Sequence, residues 1–169
     1  MTKTEKLHNL AEINNVSIHF FDLKDSVGTL GLNVKKDGLP HMIFLDHSLK
    51  NDIRLYTEVL AHELGHYFTT VGDLITNSRS YSKYIQNEKY ETKANRWAYD
   101  FLIPVDEICN AIQNNIQTLY ELAEYFDVYQ DFLIKRFEYL ALKHQTLSID
   151  NNKTLILTNL PNIYIFEPI

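Results

Sequence analysis

The sequence predicts an α+β fold: a small N-terminal antiparallel or mixed sheet laid on a helical body, with a short β tail. Three observations predict it. Short alternating apolar runs cluster before residue 47 and after residue 153, whereas most of residues 51–143 carries helical periodicity. The apolar fraction is 45% and the charged fraction 22%, which is the balance of a chain that folds around a core. A single cysteine, Cys109, excludes an internal disulfide framework and a Cys-rich zinc finger.

The elements follow in order. Leu7, Leu10 and Ala11 mark a short amphipathic helix over residues 4–13. Residues 16–20 alternate as a strand, 28–34 (GTLGLNV) form a second, and 35–38 make the turn after it. Residues 41–46 (HMIFLD) form a third. A helix is predicted over 51–70, with Leu55, Val59, Leu60, Leu64, Tyr67 and Phe68 as core candidates. Residues 71–86 are Ser-, Thr- and Tyr-rich without a period, which reads as a loop. A further helix over 87–103 stops before Pro104, since the residue preceding proline disfavours the helical region. Helices then start at residue 105 and span about 118–126 and 130–143. TLILT and NIYIF, joined through residues 159–162, form a hairpin.

Charge and composition exclude several function classes. Sixteen basic against twenty-two acidic residues give a net charge of −6, which disfavours broad phosphate-driven binding to nucleic acid. The N-terminal residues lack the apolar core of a signal peptide, and no apolar run approaches membrane-spanning length. The expectation is a cytoplasmic protein of one main domain.

Chemistry concentrates in His62-Glu63-Leu64-Gly65-His66, an HExxH motif inside the strongest helical segment. Residues four apart share a helix face, so both imidazoles reach one ion. Glu63 is rotated about 100° from His62, close to the ion without ligating it. Tetrahedral Zn²⁺ with three protein ligands keeps its fourth position for water, whose pKa falls to about 7. A lone histidine on an apolar face is ordinarily a satisfied core residue. Two histidines and the intervening Glu63 in one helical frame point to metal instead.

The third ligand belongs on a later helix. No histidine follows until His144, so Glu88 and Glu91 are the nearby candidates. Most helical glutamates are solvated, but Glu91 precedes Ala94 and Ala98 on one helical side, where small residues permit close approach. Asn95, one turn later, is placed to orient a ligand from behind. Glu88 is the reserve. Tyr67, Tyr90, Tyr99, His47 and His144 can each donate to an oxyanion, and none is assigned.

Residues 61–68 (AHELGHYF), followed by Glu91-x-x-Ala94-Asn95-x-Trp97-Ala98-x-x-Phe101-Leu102-Ile103-Pro104, resemble the ImmA/IrrE metallopeptidases. The family pattern is a helical HELGH, then E-x-x-A-N-x-F-A-x-x-L-L-x-P. Trp97 for Phe and Phe101 for Leu are departures that conserve core character. The resemblance spans residues 41–140 and implies a zincin-like fold, with His62, His66 and Glu91 as zinc ligands and Glu63 as the catalytic glutamate. The expected organisation is a zincin-like peptidase domain over 1–145, including helix-turn-helix-like helices at about 117–143, and a β tail over 146–169. The resemblance also implies a protein substrate, a cytoplasmic helix-turn-helix repressor encoded in prophages and mobile elements, whose cleavage relieves repression. In zincin-like peptidases an edge strand precedes the zinc helix. HMIFLD occupies that place here, so Ile43, Phe44 and Leu45 are expected to offer main-chain pairing to an extended substrate.

Two other classes compete. Residues 118–143 pattern as a helix-turn-helix, which suggests a DNA-binding regulator. Three cations (Lys135, Arg136, Lys143) face five anions (Glu121, Glu124, Asp127, Asp131, Glu138) there, which argues against it. A non-catalytic anti-repressor that only binds a repressor is the third reading. The complete His62, Glu63, His66 and Glu91 set argues against that.

Overall fold

The computed structural model describes residues 1–35, 38–70 and 81–168, with backbone only for 81–86. It divides into two compact units, Met1–Ala98 and Tyr99–Ile169. Both mix helices with a small sheet, so the fold is α+β.

The first unit opens with α1 (Lys3–Ile13). A capping box in which Thr2 and Glu5 satisfy each other's backbone starts it. Then come β1 (Ser17–Phe21), α2 (Leu23–Val27), β2 (Gly31–Val34) and β3 (Met42–Asp46). A 3-10 turn at His47–Asn51 leads into α3 (Ile53–Thr69), where the Asp52 side chain accepts from the Leu55 amide. After it comes α4 (Tyr81–Leu102). Ile43 and Leu45 of β3 meet a core that includes Leu60, Ala61 and Leu64 of α3, all fully buried. Each large aliphatic side chain so buried is worth about 1.5–3 kcal/mol. Four of them suffice to seat a helix that carries polar residues on its other side.

The strand order is β1-β3-β2. β3 runs parallel to β1, with Ser17 opposite Met42, and antiparallel to β2, with Gly31 opposite Leu45. The sheet is therefore mixed. This corrects the expectation for Ile43, Phe44 and Leu45. They lie on the central strand, hydrogen-bonded on both sides, and Ile43 and Leu45 have no exposed surface. The most apolar strand has taken the middle position, and the edges belong to β1 and β2.

Other boundaries shift for local reasons. Residues 28–30 are not a strand, because Gly28 takes a left-handed conformation (φ 76°) that ends α2. At five residues, α2 is too short to show a period; buried Leu23 anchors it. Residues 81–86 are helical rather than loop, in a segment with no glycine or proline to interrupt α4. Residues 71–80 of that predicted loop, and residues 36–37 of the predicted turn, lie outside the described residues.

The second unit carries α5 (Val105–Gln113), α6 (Leu119–Phe126) and α7 (Gln130–Ala141). An antiparallel sheet of β4 (Thr146–Ser148), β5 (Thr154–Asn159) and β6 (Asn162–Phe166) closes it. The tail hairpin forms as expected, with β4 added to it. Ile108, Leu122, Phe126, Leu133, Phe137 and Leu155 are fully or almost fully buried. Arg136 is buried among them, paired with Asp100 at 2.8 Å and donating to the Ile103 carbonyl at 3.1 Å. Among the described residues, no helix is long and apolar enough to cross a membrane.

Candidate metal centre

Three side chains converge in the first unit. α3 places His62 and His66 one turn apart, with their Nε2 atoms 3.1 Å from each other and their rings nearly perpendicular. α4 supplies Glu91, whose two carboxylate oxygens lie 3.3 Å from His62 Nε2 and 3.3 Å from His66 Nε2. Among the described residues these three form the group able to hold a metal ion. Glu88, exposed and one turn earlier, is not part of it.

The spacing fits an ion. Tetrahedral zinc with bonds of about 2.0–2.1 Å sets its ligand atoms roughly 3.3–3.4 Å apart, close to the three separations here. Two imidazole nitrogens and a carboxylate oxygen are also the donor types that zinc accepts. His62 is oriented from behind: its Nδ1–H donates to Asn95 Oδ1 at 2.9 Å, which points Nε2 toward the cluster.

The electrostatics are those of a site that wants a cation. Burial alone would lower the His62 pKa. The carboxylates of Glu91 and Glu63 outweigh it, and the net shift is upward. Glu91 is held well below the usual carboxylate range by its hydrogen bonds from His62 and then His66. Glu63 moves the other way, pushed up by burial despite both imidazoles.

Glu63 stands apart from these three side chains. Its side chain is buried, and its carboxylate lies against the backbone of Gly31 on β2. Together with His62, His66 and Glu91 it borders a cavity of about 380 Å³ whose opposite wall is Val27, Thr29, Gly31, Leu32 and Asn33. Ile43, Phe44 and Leu45 do not line it, nor does any of the histidines and tyrosines considered as oxyanion donors.

Sequence reading missed Gly31, Asn33 and the packing role of Gly65. A glycine inside a strand pattern signals close approach of another group, and one inside a helix signals a packing demand. Both signals were present in the sequence.

A peptidase family model described as the IrrE N-terminal-like domain matches residues 11–138, a span that contains the whole cluster. No curated protein and no solved structure matches the chain.

Proposed function

The chain belongs to the IrrE N-terminal-like peptidase family, and from that membership we propose that it is a zinc-dependent endopeptidase. Its substrate would be a cytoplasmic helix-turn-helix repressor, and cutting it would relieve repression in a prophage or mobile element. The observation that carries the reading is the convergence of His62, His66 and Glu91 beside a buried carboxylate, Glu63, that lies outside that group.

His62, His66 and Glu91 would hold the zinc. When bound, it supplies Lewis-acid polarisation of the scissile carbonyl and makes water acidic enough to ionise near neutral pH. Glu63 accepts the proton from the attacking water and returns it to the leaving amine. Burial suits it to both tasks, because a carboxylate with raised proton affinity exchanges protons closer to neutrality. Asn95 keeps the His62 ring from rotating. β2 borders the cavity and is a sheet edge, so an extended peptide can pair with it across from Glu63. Leu32 and Val27 give that wall an apolar character.

The test is co-expression with a helix-turn-helix repressor encoded beside the gene, reading repressor cleavage on a gel. Glu63→Gln keeps the side chain's shape but cannot take a proton, so cutting should fall roughly 10²- to 10⁴-fold. Zinc content and melting temperature should stay near those of the wild type. Undiminished cutting by Glu63→Gln would remove the α3 motif from the chemistry.

A further inference from the structure

We propose that β2 is a clamp that positions Glu63, with Gly31 holding space for its carboxylate and Asn33 holding its main chain. The proposal rests on the peptidase reading for its consequence, though not for its geometry.

Gly31 and Asn33 lie two apart on β2 and therefore face the same side of the sheet. A Cβ built on Gly31 would overlap Glu63 Oε1 and come within 2.9 Å of Glu63 Cγ and Cδ. The carboxylate thus occupies the volume that any other residue would fill. Asn33 takes hold from the opposite end. Its Nδ2–H donates to the Glu63 carbonyl at 2.7 Å in a buried bond. Its Oδ1 accepts from His41 Nε2 at 2.6 Å, which fixes the amide with its nitrogen toward α3. Tyr67 packs edge-on against the His41 ring and holds that ring in turn.

One strand therefore grips both ends of a single residue. A carbonyl within a helix has a lone pair to spare, so the Asn33 bond adds to the helix without breaking it. The consequence is a shared frame. If a peptide pairs along the outer edge of β2, the strand that sets its register also sets the proton acceptor. Misplacement by about 1 Å can cost a hundredfold in rate, so Gly31 and Asn33 are positioning residues for Glu63.

The first experiment needs no activity: a double-mutant melting cycle on the metal-free full chain with Gly31→Ala, Glu63→Ala and the pair. Gly31→Ala alone should lower the melting temperature by roughly 2–12 °C, the shift expected of overpacking by a methyl group. In the Glu63→Ala background the same substitution should have little effect, since the overlapping carboxylate is gone. An equal shift in both backgrounds would overturn the clamp. The second experiment is Asn33→Ala in the zinc-loaded protein. Turnover should fall at least tenfold with KM and zinc content unchanged, and zinc loss in parallel would overturn the positioning role. A wild type that cuts nothing would defeat the peptidase reading, and the melting cycle alone would then decide the clamp.

Discussion

Gly65 of α3 lies so close to Ala94 of α4 that a Cβ at Gly65 would overlap the Ala94 carbonyl and come within 2.9 Å of its Cα. Glu91 sits three residues before Ala94, so this contact fixes how near α4 brings its carboxylate to the two imidazoles. For Gly65→Ala, two effects oppose. Alanine is the better helix former by about 1 kcal/mol, while overpacking costs about 1–3 kcal/mol. The obstacle is backbone and cannot swing aside, so overpacking wins. The expected outcome is a lower melting temperature together with weaker zinc retention. A more stable Gly65→Ala variant with full zinc content would show that the helices part freely.

The convergent trio was legible because its geometry is local. His62, Glu63 and His66 are related by helix geometry alone, and Glu91 with Ala94 and Asn95 repeats the same period on a second helix. The clamp was not legible, because the contact of Gly31 and Asn33 with Glu63 joins segments some thirty residues apart. Strand order failed for a related reason. Alternation in HMIFLD puts Ile43 and Leu45 inward whether the strand is central or at an edge, and only pairing decides which. Leu55, Val59 and Tyr67 end half-buried and Phe68 exposed, because period identifies a face but not how far its cover extends.

Asp46 gives the protein an acid limb. Its carboxylate accepts from the Ser48 hydroxyl, from the Lys24 amide at 2.7 Å and from the Ser48 amide at 2.9 Å. These bonds, the Ser48 hydroxyl first, hold its pKa down at about 2 against an ordinary 3.8. The folded state thus resists protonation more than the unfolded chain does. Its stabilising contribution is complete above the unfolded value and is lost as pH falls through the folded one. Urea midpoints measured downward from about pH 5 should therefore drop more steeply for the wild type than for Asp46→Asn. Parallel slopes would show that Asp46 has no part in acid stability.

The helix-turn-helix-like segment should not bind DNA tightly. α6 ends at Asp127 in a left-handed conformation (φ 53°), and α7 begins with Asp131 in its first turn. In a recognition helix the first residues meet base edges, where a carboxylate meets the field of the phosphates. Of the segment's three cations, Arg136 is buried and paired with Asp100, which leaves Lys135 and Lys143 outside. A polarisation titration with promoter DNA at moderate salt should show no nanomolar, sequence-specific binding. Such binding would move the regulator reading ahead of the peptidase.

Metal content separates the ligand candidates from their neighbours. The purified protein should carry about one zinc per chain. His62→Ala and Glu91→Ala each remove a donor from a set of three, and both should lose the metal. Glu88→Ala should keep it, since Glu88 is exposed and outside the convergent group. Asn95→Ala leaves all three donors in place and only frees the His62 ring from its 2.9 Å hydrogen bond. Loss of such a supporting partner typically costs 10- to 100-fold in metal affinity, so this variant should load zinc at saturation and surrender it early to a competing chelator. The order expected is therefore wild type and Glu88→Ala, then Asn95→Ala, then the two ligand variants. Zinc retained by Glu91→Ala but lost by Glu88→Ala would reverse the assignment of the third ligand.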